Sequence, residues 1–166
     1  MTYTCALKVR LPGLLVVLLA TALGLLASPA RAQVLDLASY PQSSLEIVAK
    51  GARHKFEIWI ADTPERQHQG LMYVRDLPAN QGMLFVNESS RVSSFWMKNT
   101  YIPLDMLFID ARGKIVAIFA NTTPLSLEPV GPVTPVLAIL ELRGGESARR
   151  GLRKGDRVIH PAFRPR

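Results

Sequence analysis

Asp105 interrupts an otherwise apolar run, with Leu104 before it and Met106, Leu107, Phe108 and Ile109 after it. A carboxylate turned into an apolar interior is costly unless it is paired or hydrogen-bonded. Lys98 and Asn99 lie a short turn upstream and carry the groups that would do either, and Trp96 beside them offers a flat face for stacking. Two chemistries follow. In the first, Trp96, Lys98, Asn99 and Asp105 form a polar pocket that binds a ligand. In the second, Lys98 and Asp105 are a structural ion pair that pins a chain crossing. A hairpin turning through residues 99–103 would set either Lys98 or Met97 opposite Asp105, according to the length of its loop.

Other reactive groups are sparse. The single cysteine, Cys5, lies in the N-terminal segment, so the remainder of the chain has no disulfide, thiolate nucleophile or Cys-ligated metal. G-x-S-x-G, H-E-x-x-H and P-loop patterns are missing, and His54, His68 and His160 are isolated in sequence. Met72, Met83, Met97 and Met106 are soft donors suited to Cu(I). Each falls in an apolar run without M-x-M or H-x-M spacing, where methionine fills core gaps. No catalytic residue, metal ligand or cofactor is assigned.

The elements that must position the Trp96–Asp105 group are strands. Residues 45–50 alternate apolar and polar, as do residues 55–60, and Gly51-Ala52-Arg53 between them reads as a hairpin turn. Asp62-Thr63-Pro64-Glu65 combines a capping side chain, a first-turn proline and a following Glu, predicting a short helix that ends near Gly70. Further strands are predicted over residues 83–86, 95–98, 104–109 and 136–142, with a last edge over 157–159. Asp110-Ala111-Arg112-Gly113 turns a second hairpin into Ile115, and Glu146 opens a single helical turn ending at Gly151. The prolines between Pro78 and Pro135 forbid a long helix there. The expected fold is mainly β: a compact single-domain β-sandwich or barrel with one or two short helices.

The first 32 residues are read separately. Lys8 and Arg10 precede an apolar stretch over 11–27, and Ala30-Arg31-Ala32 completes a small-residue cleavage site after Pro29. That is the layout of a secretory signal cleaved after Ala32, giving a periplasmic or secreted protein with no transmembrane segment left. Residues 33–42 read as a linker, and 43–162 as the β-rich domain.

Phe95-Trp96-Met97-Lys98-Asn99-Thr100 followed by Ile102-Pro103-Leu104-Asp105-Met106 resembles the domain of unknown function 192 family, small and often exported prokaryotic proteins. Gly70-Leu71-Met72, Gly82-Met83-Leu84-Phe85, Leu140-Glu141-Leu142 and Gly151-Leu152-Arg153-Lys154-Gly155-Asp156 fall in the same order as in that family, so the match spans about residues 45–160. The resemblance implies a compact β-sandwich or barrel and no particular activity.

The net charge of +7 is uneven, because residues 143–166 carry eight of the 20 basic residues and only Glu146 and Asp156 among the acids. A basic end suits an anionic envelope component or a solvated face, and without aromatic interleaving it does not predict specific nucleic-acid binding. The sequence thus predicts an exported, non-enzymatic β-domain that binds a small ligand or envelope component, of undetermined oligomeric state. The alternative is a hydrolase-like enzyme acting on the envelope, with Asp105 as acid or base and Lys98 as its electrostatic partner.

Overall fold

The computed structural model describes residues 34–163; the predicted signal and its cleavage site lie outside the described residues. Seven strands form one curled sheet, a half-barrel, with two short helices. They are β1 (Gln42–Ala49), β2 (Ala52–Ala61), β3 (Gln81–Arg91), β4 (Leu104–Ile109), β5 (Ile115–Phe119), β6 (Val136–Arg143) and β7 (Arg157–Ile159). The helices are α1 (Pro64–Gln69) and α2 (Glu146–Arg150). The order across the sheet is β5-β4-β6-β3-β2-β1-β7, and β2–β3 is the parallel pair.

Local chemistry explains the two hairpins. Lys50 and Gly51 both take positive φ, 48° and 82°, as a two-residue turn matched to strand twist requires. The turn therefore falls one residue earlier than the sequence suggested, and β2 resumes at Ala52. Between β4 and β5, Asp110 Oδ1 accepts the N–H groups of Arg112 and Lys114 at 2.8 and 2.9 Å. Gly113 then adopts φ 78°, and its carbonyl accepts Val158 N–H at 2.7 Å. A side chain at Gly113 would come within 2.5 Å of Val158 O, so glycine is what lets β7 approach the β4–β5 turn and draw the two ends of the sheet together.

The sheet has a core on each face. All seven strands send apolar side chains to one, including Ile47, Phe56, Leu107, Leu140 and Val158. Met83, Phe85, Met106, Phe108 and Ile139 face the other, under Tyr40, Leu71, Leu77 and Met97 from the connections. β4 is buried at every position, which accounts for its unbroken apolar run. Within residues 33–42, Leu37–Ser39 forms a turn of 3-10 helix capped by Asp36, and Tyr40 is buried.

One predicted pairing does not form. Residues 95–98 make no strand against β4, whose neighbours are β5 and β6. Phe95 instead forms an isolated bridge with Val130, and the chain turns at Asn99 with φ 56°. The register that would have set Lys98 opposite Asp105 is therefore absent.

Candidate functional site

The Trp96 segment runs extended beside a proline-rich loop. Phe95 and Val130 exchange backbone hydrogen bonds at 2.8 and 2.7 Å, and Met97 N–H donates to Ser126 O at 2.9 Å. Alternation buries Met97, half-buries Phe95 and leaves Trp96 46% exposed. Lys98 Nζ sits 5.2 Å from the centre of the Trp96 ring, a cation–π contact. Asn99 is locked to Tyr73: its carbonyl accepts Tyr73 N–H at 2.8 Å and its Nδ2 donates to Tyr73 Oη at 3.0 Å. Tyr73 also has positive φ, 68°, so two left-handed non-glycine residues hold each other in place. Tyr101 packs edge-on to Tyr73, and Arg75 lies 4.8 Å over its ring. Trp96 and Lys98 thus meet each other, whereas Asn99 turns to Tyr73, which with Arg75 and Tyr101 sequence reading did not single out.

Asp105 does not join them. It is fully buried, and its oxygens accept the N–H groups of Asn121 at 2.8 Å, Gly145 at 3.0 Å and Ser147 at 2.7 Å. Gly145 and Ser147 begin α2, whose N-cap glycine has no side chain of its own to offer. Asp105 supplies that cap from β4 and ties in the loop after β5. The proposed pairing with Lys98 is corrected accordingly: backbone donors satisfy the carboxylate, and Lys98 turns to Trp96.

Trp96 also forms part of a cleft of about 370 Å³, with Phe95, Pro129, Ser94, Gln67 and His68. α1 supplies the last two. Thr63 Oγ1 caps it by accepting Arg66 N–H at 3.3 Å, Pro64 opens it, and Gly70 closes it where a Cβ would meet the Phe85 ring at 2.9 Å. Gln67 Nε2 donates to Val86 O at 2.8 Å and Ala61 O at 3.3 Å, which fixes the amide and leaves its oxygen as a free acceptor. The lining combines aromatic and apolar side chains, Phe95, Trp96 and Pro129, with polar ones, Gln67, His68 and Ser94.

Other candidates resolve differently. Met83, Met97 and Met106 are core residues, and Met97 Sδ accepts Thr122 O–H at 3.1 Å. His68 is exposed on α1 and His54 half-buried on β2. His160 contacts Ser43 Oγ through Nε2 at 3.1 Å, while its Nδ1 accepts Ala162 N–H at 3.2 Å. That tautomer makes Nε2 a donor to the serine, the wrong polarity for activating a nucleophile, and burial pushes the imidazole below its usual value. Glu141, in β6, is 4% exposed among Met83 and Met106, its cross-strand neighbours. Burial pushes its carboxyl up to about 8. A lone Glu within Val136–Arg143 was its sequence signal. The basic end is partly internal: Arg149 and Arg150 both bond Glu146, and Arg150 also donates to Ala79 O at 2.9 Å and covers the Phe56 ring.

The molecule is a small β-domain whose surface feature is an aromatic-walled cleft between α1 and the Trp96 segment. The chain belongs to the DUF192 family of uncharacterized ACR proteins, whose model matches residues 46–160. It is similar to a candidate transcription regulator of Sinorhizobium meliloti 1021, at 38% identity and TM-score 0.73, over 75% of this chain and 97% of that one. It is also similar to a protein of unknown function from Novosphingobium aromaticivorans DSM 12444, at 32% identity and TM-score 0.73, over 80% of this chain and 94% of that one. No curated protein matches.

Proposed function

We propose that this protein is an exported domain that binds a small saccharide of the cell envelope in the Trp96 cleft. The observation that carries this reading is an exposed indole sharing a cleft with the Gln67 amide, which Val86 O and Ala61 O hold in place. The C–H face of a sugar ring stacks on an aromatic wall while its hydroxyl and amide groups meet hydrogen-bonding side chains. Trp96, Phe95 and Pro129 supply the wall, and Gln67, His68 and Ser94 supply the polar groups. Export rests on the signal layout of residues 1–32. Binding is favoured over hydrolysis because Asp105 is sealed by backbone donors and the Ser43–His160 contact has the wrong polarity. Transcription regulation, the role in the Sinorhizobium relative's description, has less support as groove reading of DNA: among the described residues the helices span six and five residues, short for such an element.

Titration with N,N′-diacetylchitobiose, followed by tryptophan fluorescence in a Trp59→Phe background, tests the reading. Saturable quenching that disappears in Trp96→Ala is expected. A flat titration with a folded protein would overturn it.

A further inference from the structure

A second cleft adjoins the Trp96 cleft at α1. Gln67 and His68 also line this second cleft, of about 560 Å³, whose far wall is the end of β3 with Asn87, Glu88 and Arg91. Each cleft is the size of a small-ligand site, so a ligand spanning both is a disaccharide or longer.

The second cleft differs in chemistry from the first. Arg91 Nε donates to Asn87 Oδ1 at 3.0 Å. Asn87 is itself only 7% exposed and anchored by Nδ2 bonds to Val136 O and Ser93 Oγ, both 3.3 Å. The guanidinium plane is therefore oriented by a buried amide, and both terminal nitrogens keep their N–H groups without a protein acceptor among the described residues. Arg91 is in no ion pair there either, although two acids line the same cleft. Asp62 is taken by Arg66 at 2.8 Å, and Glu88 is exposed. A fork of planar donors held in place is suited to a carboxylate or phosphate.

We propose that Arg91 is an anion subsite adjoining the Trp96 cleft, so that the ligand is an acidic saccharide: its ring lies on Trp96 and its carboxylate or phosphate on Arg91. This rests on the saccharide reading above and adds the charge. Glu88 on the same wall limits the attraction, and removing it should strengthen the preference for anions.

Three probes separate the possibilities by calorimetry: neutral N,N′-diacetylchitobiose, the N-acetylglucosaminyl-N-acetylmuramic acid disaccharide, and an N,N′-diacetylchitobiose phosphate. The muramic acid disaccharide is expected to bind about tenfold more tightly than the neutral one, an advantage that shrinks as salt is raised. A stronger preference for the phosphate sugar would assign the subsite to phosphate rather than carboxylate. Arg91→Gln should abolish the preference by bringing the acidic affinity down to that of the neutral sugar, Arg91→Lys should keep part of it, and Glu88→Gln should enlarge it. Thermal melts of each variant confirm folding. Equal affinity for neutral and acidic sugars, or a preference that survives Arg91→Gln, overturns the anion subsite and leaves the saccharide reading standing. Failure of all three probes to bind overturns both.

Discussion

Asp105 and Glu141 lie on neighbouring strands, with Met106 paired to Glu141 and Asp105 to Leu142, so the two acids point to opposite faces of the sheet. Both are buried, and their surroundings could hardly differ more. Asp105 meets three backbone N–H groups and caps a helix that has no cap of its own. Glu141 sits between two methionines, and desolvation alone displaces its carboxyl. The contrast shows that burial by itself does not give an acid its role; the donors around it do. Asp105 ties the loop after β5 to the start of α2, whereas burial pushes the Glu141 carboxyl up to about 8.

Removing Asp105 should have the largest effect. Asp105→Ala leaves three backbone donors without an acceptor, Ser147 N–H among them in a buried setting, and should cost ~3–5 kcal/mol. The melting temperature should drop by roughly 10 °C or more, and hydrogen exchange in α2 should accelerate. Unchanged melting would mean that the cap contributes nothing.

Glu141→Gln should act in the opposite direction and depend on pH. The acid ionises near 4.5 in the unfolded chain and at about 8 in the fold. Its contribution is fully present below 4.5 and is lost as pH rises towards 8, at up to ~1.4 kcal/mol per pH unit. The variant should therefore match the parent near pH 4 and exceed it by a margin that widens to about 4–5 kcal/mol at pH 8. A difference that stays constant across this range in paired thermal melts would show Glu141 to be solvated.

Among the basic residues, Arg150→Ala should cost ~1–3 kcal/mol, because its side chain is 14% exposed and covers Phe56. Arg149→Ala should cost much less, its side chain being 58% exposed. Equal losses in denaturant titrations would contradict this division of the basic end. Smallest of all, Lys98→Ala should cost about 0.5 kcal/mol and add simply to Asp105→Ala, since the two side chains share no contact. A coupling above ~1 kcal/mol in the double-mutant cycle would restore the ion pair between them.

What the sequence revealed follows the range of the interactions. The β1–β2 and β4–β5 hairpins and both short helices were legible because their turns are set by adjacent residues: Gly51, Asp110 with Gly113, and Thr63 with Pro64. The 95–98/104–109 hairpin was misread for the same reason. Its loop looked like a turn, but β4 finds its partner in β6, far along the chain, and no local signal announces that. The site divides similarly. Trp96 and Lys98 are neighbours in sequence and stay in contact, while Gln67, His68 and Pro129 reach the cleft only through the fold. Asp105 was rightly marked as an anomaly, yet its partners are main-chain groups, and backbone donors leave no trace in residue identity.

The three-residue strand β7 has a consequence for how the molecule is made. It pairs Glu46 with Ile159 and Ile47 with Val158, and the turn at Gly113 closes onto it. Nearly the whole domain must therefore be synthesised before β1 acquires its outer neighbour. Until then, that strand presents an open row of donors and acceptors, the kind of edge that recruits other chains. A growing polypeptide would remain unlocked until β7 emerged, and truncation just before Arg157 would leave that state permanent.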